Sequence, residues 1–294
     1  MAYKNKQRLL DVKIVSTQPE FFEITESAKF PVILRDGAKQ WICQNKWSRE
    51  FFRKKCGNVR VYDVDDQITE QSAIKGHREL SDIIDNFGAS EKEYIRFVPI
   101  LNRFPELLQD LDTSFVNKVV SPKKNSVRIW GEKGSGIPLR SHLFIGEKGT
   151  KTSIHCELTN NLFINVQGQK QWLIFHPSSM FSLRSPVSRK PGVFGSMFDS
   201  ERDFSSSNSA FKINACEHSS FILQPGDILY LPPFYWHEVK NLSDNISIGV
   251  RWYDFKKAMI SSKTLNILSL LSTRPSMIKA IKNAVEYGEV HKDY

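Results

Sequence analysis

The chain has 294 residues, 40% hydrophobic and 12% aromatic, a composition that supports a sizeable core and excludes a disordered chain. Its net charge of +9, from 41 basic against 32 acidic residues, leaves two readings open: an acidic partner such as RNA, or an ordinary solvated basic surface. No run approaches the roughly 18 apolar residues of a bilayer span, and Cys43, Cys56, Cys156 and Cys216 are widely spaced without a C-x-x-C, so free thiols in a cytoplasmic or nuclear protein with no membrane partner are expected.

The opening segment, MAYKNKQRLLDVKIV, lacks the apolar stretch and small-residue cleavage site of a secretory signal. FPVILRDGAKQW predicts a short strand over residues 32–34, closed by the turn Asp36-Gly37. KWSREFFRKKCGN predicts a helix with Ser48 as N-cap and Gly57 as stop. VRVYDVDD alternates as a strand, ELSDIIDNFG predicts a short helix ending at Gly88, EYIRFVPIL a strand, and FPELLQDL a proline-started helical turn. From about residue 126 the character changes. VRIWG, HLFIG, NLFINV, QWLIF, SSFIL, DILYLP, HEVKNL and ISIGVRWY are short strand candidates separated by turn residues, which argues for a jelly-roll barrel or β-sandwich rather than βαβ units. Residues 182–210, rich in Ser, Pro and Gly, interrupt this series as a long loop, either mobile or covering a substrate. After Tyr253, SKTLNILSLLS and RPSMIKAIKNAVEYG predict two helices; in the second Pro275 suits the first turn, Ile278, Ile281 and Val285 share a face, and Gly288 is the stop. These helices either pack on the barrel or form a homodimer interface.

The stretch TKTSIHCELTNNLFINVQGQKQW, residues 150–172, sets an imidazole, a carboxylate, an amide and an amine within what reads as sheet. On a strand, residues i and i+2 share a face, so His155 and Glu157 project together and Cys156 turns away. A third ligand must come from another strand. His237 in LQPGDILYLPPFYWHEVKN is the candidate, unless it is a satisfied core histidine. Two histidines and one carboxylate form the facial triad of a mononuclear non-haem iron site, with the opposite face left open. Lys170 shares a strand face with Trp172 and Ile174. Burying an amine there is expensive unless it meets an anion, such as the distal carboxylate of 2-oxoglutarate. Thr152 and Asn161 can add hydrogen bonds, while Tyr235 and Trp236, beside His237, are candidates to shape the cavity, with core packing alone the favoured role for Trp236.

H-x-E, Asn161, GQKQWLIFHP and PGDILYLPPFYWHEV occur in order. Together they resemble the JmjC-type, cupin-fold 2-oxoglutarate oxygenases, and within them the small hydroxylases of the asparaginyl hydroxylase and tRNA wybutosine hydroxylase type. The resemblance covers roughly residues 28–253. It implies a double-stranded β-helix, mostly β with flanking helices, divided into an N-terminal α/β module at 1–125 packed on the barrel, a catalytic core at 126–255 and a C-terminal helical segment at 256–294. It also implies Fe(II) held by His155, Glu157 and His237, the 5-carboxylate of 2-oxoglutarate on Lys170 assisted by Thr152, and Asn161 and Tyr94 beside the cosubstrate. With O2, such an enzyme hydroxylates a C–H bond and releases succinate and CO2. A protein or peptide side chain is the expected substrate; a modified tRNA nucleoside, lysine demethylation and a metal-binding cupin without turnover are the alternatives. Two positions depart from the small hydroxylases. Glu157 stands where most have aspartate, as in the histone demethylase branch, and Arg251 falls near a position held by a polar amide.

Overall fold

Strands that are apolar on both faces need cover on both sides, and in this chain two sheets and a layer of helices supply it. The computed structural model describes residues 9–64, 74–120, 127–129, 137–185, 193–198, 200–201 and 216–271. Strands β1 (Lys13–Val15), β2 (Val32–Leu34), β3 (Arg60–Val64), β4 (Ile74–Glu79) and β5 (Tyr94–Val98) belong to the first part of the chain. They are followed by β6 (Val127–Ile129), β7 (Ile137–Gly146), β8 (Lys151–Glu157), β9 (Asn160–Gln167), β10 (Lys170–Phe175) and β11 (Val193–Gly195). The last four are β12 (His218–Leu223), β13 (Ile228–Leu231), β14 (Trp236–Asn241) and β15 (Asn245–Trp252).

One sheet runs β1-β2-β13-β9-β15-β7-β5, with β6 alongside β7; a second runs β11-β8-β14-β10-β12, and β3 and β4 pair as a separate antiparallel ribbon. From β7 onward the chain crosses from sheet to sheet at nearly every step, which is a double-stranded β-helix. The exception is the connection that contains residues 182–210: it returns to the same sheet, and β10 and β12 pair antiparallel. Part of that expected loop is strand. β11 lies antiparallel on β8, with Val193, Phe194 and Gly195 opposite Glu157, Cys156 and His155.

The helices are α1 (Gln18–Ser27), α2 (Ile42–Lys46), α3 (Arg49–Cys56), α4 (Leu80–Asp85), α5 (Ile100–Arg103), α6 (Thr113–Val120), α7 (Phe255–Ser261) and α8 (Lys263–Leu271). As expected, α3 begins at Ser48, whose hydroxyl accepts from the Phe51 amide, and ends at Gly57. The strand expected through EYIRFVPIL stops at Val98, because Pro99 offers no amide to a ladder and residues 100–103 turn helical. Helices α1 and α6 are not legible as elements in the sequence reading; their Phe21 and Phe115 rings stack at 5.6 Å.

Among the described residues three apolar clusters organise the fold. Phe21, Trp41, Trp47, Phe52 and Phe115 pack with Leu162, Ile164, Ile228, Ile248 and Val250 on the outer face of the larger sheet. Between the sheets lie Phe144, Phe163, Trp172, Ile174 and Leu229. Ile154, Cys156, Phe175, Phe194 and Trp236 meet Ala258 and Leu265 of α7 and α8 outside the smaller sheet. The second expected C-terminal helix, residues 274–288, and the dimer interface read into it lie outside the described residues. Among the described residues no helix is long and apolar enough to cross a membrane.

Candidate metal and cosubstrate site

Strand parity decides what enters the barrel. Along β8, Ile154 and Cys156 go to the outer cluster, so His155 points inward. On β14 the same alternation sends Trp236 out and His237 in, and β14–β8 pairing sets His237 directly opposite His155. The two rings lie 4.2 Å apart between centroids. Each is held by its Nδ1, at 2.8 Å from the Ser153 carbonyl for His155 and 3.0 Å from the Tyr235 carbonyl for His237. A carbonyl only accepts, so Nδ1 carries the hydrogen and Nε2 presents a lone pair. His155 Nε2 is buried with no hydrogen-bond partner. Burial and the neighbouring His155 lower the pKa of His237 to about 3, which keeps it neutral.

Glu157 completes the donor set in composition. Its Oε1 lies 3.7 Å from His155 Nε2 but 2.8 Å from Arg251 Nη1. Burial pushes its pKa up, yet the Arg251 guanidinium beside it outweighs that and holds the carboxyl well below its usual range. Among the described residues no three His, Cys, Asp or Glu side chains are already gathered as a metal-binding group. The carboxylate is engaged by the guanidinium. The donor chemistry nonetheless fits a divalent ion: two neutral imidazole lone pairs, one without a partner, beside a carboxylate.

Lys170 is 1% exposed. Its Nζ lies 3.3 Å from the Tyr94 hydroxyl and within 5.5 Å of the Tyr94, Phe144 and Phe163 ring centroids. Among the described residues no carboxylate pairs with it, and burial lowers its pKa. The Thr152 hydroxyl reaches Tyr94 at 3.4 Å, and Asn161 Oδ1 is buried without a partner. Thr152, His155, Asn161, Lys170, Tyr94 and His237 all line one cavity, with Phe144, Phe163, Trp172, Val239 and Arg251. Its volume of about 20 Å³ holds little more than one water.

The structure therefore brings Tyr94, Thr152, His155, Asn161, Lys170 and His237 to one cavity, with Glu157 at its side on Arg251. Trp236 and Tyr235 do not line it. Trp236 donates to the Pro177 carbonyl in the outer cluster and the Tyr235 hydroxyl to that of Lys29. Sequence reasoning missed His142, whose Nδ1 lies 2.7 Å from Arg251 Nη1, and the pairing of Arg251 with Glu157. The one available signal was a histidine and an arginine within strand candidates, on β7 and β15, which carries no register.

A double-stranded β-helix closed around imidazoles, a carboxylate and a buried amine is the architecture of a cupin. Residues 18–259 match the cupin-like domain family, and the chain belongs to that family. Its relatives are JmjC proteins, as the sequence resemblance implied. JmjC domain-containing protein D of Dictyostelium discoideum is 24% identical over 83% of this chain and 56% of its own length. The bifunctional peptidase and (3S)-lysyl hydroxylase JMJD7 of Homo sapiens is 24% identical, over 77% of this chain and 78% of its own. The 2-oxoglutarate and iron-dependent oxygenase JMJD4 of Danio rerio is 24% identical over 37% of this chain and 26% of its own. The chain thus spans little more than half the length of the Dictyostelium protein.

Proposed function

We propose that the chain is an Fe(II)- and 2-oxoglutarate-dependent dioxygenase that hydroxylates a C–H bond of a protein side chain. The observation that carries this reading is Lys170. A buried ammonium with only a tyrosine hydroxyl beside it is costly, and an anion entering the same cavity as two imidazole lone pairs relieves that cost. Bound together, Fe(II) and 2-oxoglutarate supply oxidative decarboxylation to succinate and CO2, with transfer of one oxygen atom of O2 to the substrate.

In this reading His155 and His237 give their Nε2 atoms and Glu157 its carboxylate to the metal. Lys170 pairs with the distal carboxylate of the cosubstrate, and the Thr152 and Tyr94 hydroxyls fix its direction, a positioning role. Asn161 offers an unpaired carbonyl and its amide to the same ligand. Phe144, Phe163 and Trp172 exclude water around it; Trp172 stacks on His237 with ring centroids 5.4 Å apart and so holds that ligand's plane. The cosubstrate is larger than the cavity of about 20 Å³, so binding it would require the lining side chains to move apart. A protein substrate is favoured by the human relative, a lysyl hydroxylase by name, most of whose length the chain covers. The net charge of +9 favours the second reading, a modified tRNA nucleoside.

The test is succinate formation from 2-oxoglutarate and Fe(II) by the wild type and by His155→Ala. The wild type is expected to turn over slowly without a prime substrate, and the variant to lose at least about 100-fold. Cosubstrate binding without turnover under any substrate would mark a metal-binding cupin. Neither binding nor turnover would sink the oxygenase reading.

A further inference from the structure

We infer that Arg251 is a positioning residue for the metal centre: an internal counter-cation that holds the Glu157 carboxylate until a metal takes it, and that thereby limits how tightly the metal binds. This rests on the function proposed above. Arg251 lies on β15, which pairs it with Asn161 on one side and Arg140 on the other, and it is 6% exposed. Its Nη1 lies 2.8 Å from Glu157 Oε1 and 2.7 Å from His142 Nδ1. A guanidinium only donates, so His142 accepts through Nδ1 and is a neutral imidazole. It thus steadies the guanidinium without adding a second positive charge.

The oxygen that Arg251 holds is the one facing His155 Nε2 at 3.7 Å. With Nδ1 of His155 directed at Ser153, Nε2 is the ring nitrogen that faces Oε1, buried, too far from it for a hydrogen bond and without another partner. A cation can join them, and Arg251 already occupies one side of the oxygen. The other carboxylate oxygen has the Thr159 hydroxyl at 3.3 Å, so Glu157 retains a second tether when a metal shares Oε1 with the guanidinium.

Two effects act in the same direction. In the metal-free protein Arg251 neutralises a carboxylate that would otherwise be buried and unpaired, which stabilises the state without metal. In the metal-bound protein a fixed guanidinium close to the ligand oxygen opposes the ion's charge and draws electron density from the ligand. Removing its charge therefore favours the metal-bound state on both counts. Lost orientation acts the other way, but the Thr159 contact limits it.

The experiment titrates Mn(II), a redox-stable stand-in, into metal-free wild type, Arg251→Gln and Arg251→Lys by calorimetry, with melting curves on each. The glutamine variant is expected to melt lower without metal, to bind Mn(II) about tenfold more tightly, and to show a larger metal-induced rise in Tm. The lysine variant, which keeps the charge, should stay within about threefold of wild type. Equal or weaker Mn(II) binding by the glutamine variant, or an equal gain in the lysine variant, overturns the inference and leaves the oxygenase reading standing. Binding by neither wild type nor the glutamine variant overturns both. If the glutamine variant does not fold alone, refolding it in Mn(II) decides: recovery is expected, because the ion supplies the missing counter-charge, and failure to recover refutes the role.

Discussion

Lys170 shows how far single residues can be read before a structure exists. Its face is set by parity, since β10 alternates between the barrel interior (Lys170, Trp172, Ile174) and the outer cluster (Phe175). The same parity made His155, Glu157 and His237 legible. What a sequence cannot carry is the partner across strands. Arg251 and Glu157 are 94 residues apart, and their meeting depends on which residues of β15, β9 and β8 lie opposite one another. An ammonium held without a counter-ion implies a separation of stability from function. Lys170→Met, similar in length and apolar, should raise the stability of the ligand-free protein by about 1–2 kcal/mol while weakening 2-oxoglutarate binding at least about 100-fold. Denaturant melts and cosubstrate titrations on the same sample check both signs; a destabilised variant would mean that the amine has a partner supporting the fold.

At the scale of elements, the helices outside the barrel decide why β9 and β15 are apolar on one face and chemical on the other. Leu162, Ile164, Ile248 and Val250 bury against α1, α3 and α6 side chains, leaving Asn161 and Arg251 to the cavity. The alternation was readable, but the identity of the covering layer was not, because α1 and α6 are short and depend on tertiary packing more than on propensity. β11 escaped for a similar reason: a three-residue strand within a Ser/Pro/Gly-rich segment has no period to detect. The join between α7 and α1 can be tested. Lys257 Nζ donates to the Thr25 carbonyl at 3.0 Å, beneath the Tyr230 and Trp252 rings, and burial lowers its pKa to about 8, against the pull of Asp254 and Glu26. Between pH 8 and the ordinary lysine value near 10.5 the unfolded chain binds the proton that the folded one has released. Stability from this group therefore rises with pH across that window, by up to about 3 kcal/mol, and the penalty is present in full below it. Subtracting the pH profile of Lys257→Met, which lacks the group, isolates the effect; a flat difference between pH 8 and 10.5 would show the amine to be solvated.

For the whole molecule the open choice is between a protein and an RNA substrate, and net charge is a poor guide until its placement is known. The +9 would matter if it formed an uncompensated stripe. On α3, the densest described basic run, Arg53 meets Asp85 at 2.6 Å, Lys54 meets Glu50 at 3.2 Å and Lys55 meets Glu106 at 2.6 Å. Lys46 pairs with Asp110 at 2.8 Å and Lys240 with Glu201 at 2.8 Å. The exposed pairs, all but that with buried Asp110, add little stability, but each carries a negative charge beside the cation. The other dense run, SPKKNSVR, lies mostly outside the described residues. Charge on α3 is thus expected to contribute little to RNA affinity. Anisotropy titrations of tRNA against salt should give a log–log slope of magnitude no greater than about 2, unchanged in Lys54→Glu/Lys55→Glu, whereas an interface neutralising six or more phosphates would give about 5. A steep slope that collapses in the double variant would put α3 on a phosphate backbone and move the tRNA nucleoside ahead of the protein side chain. A shallow one leaves the substrate to be chosen at the cavity mouth, by shape and hydrogen bonding rather than by charge.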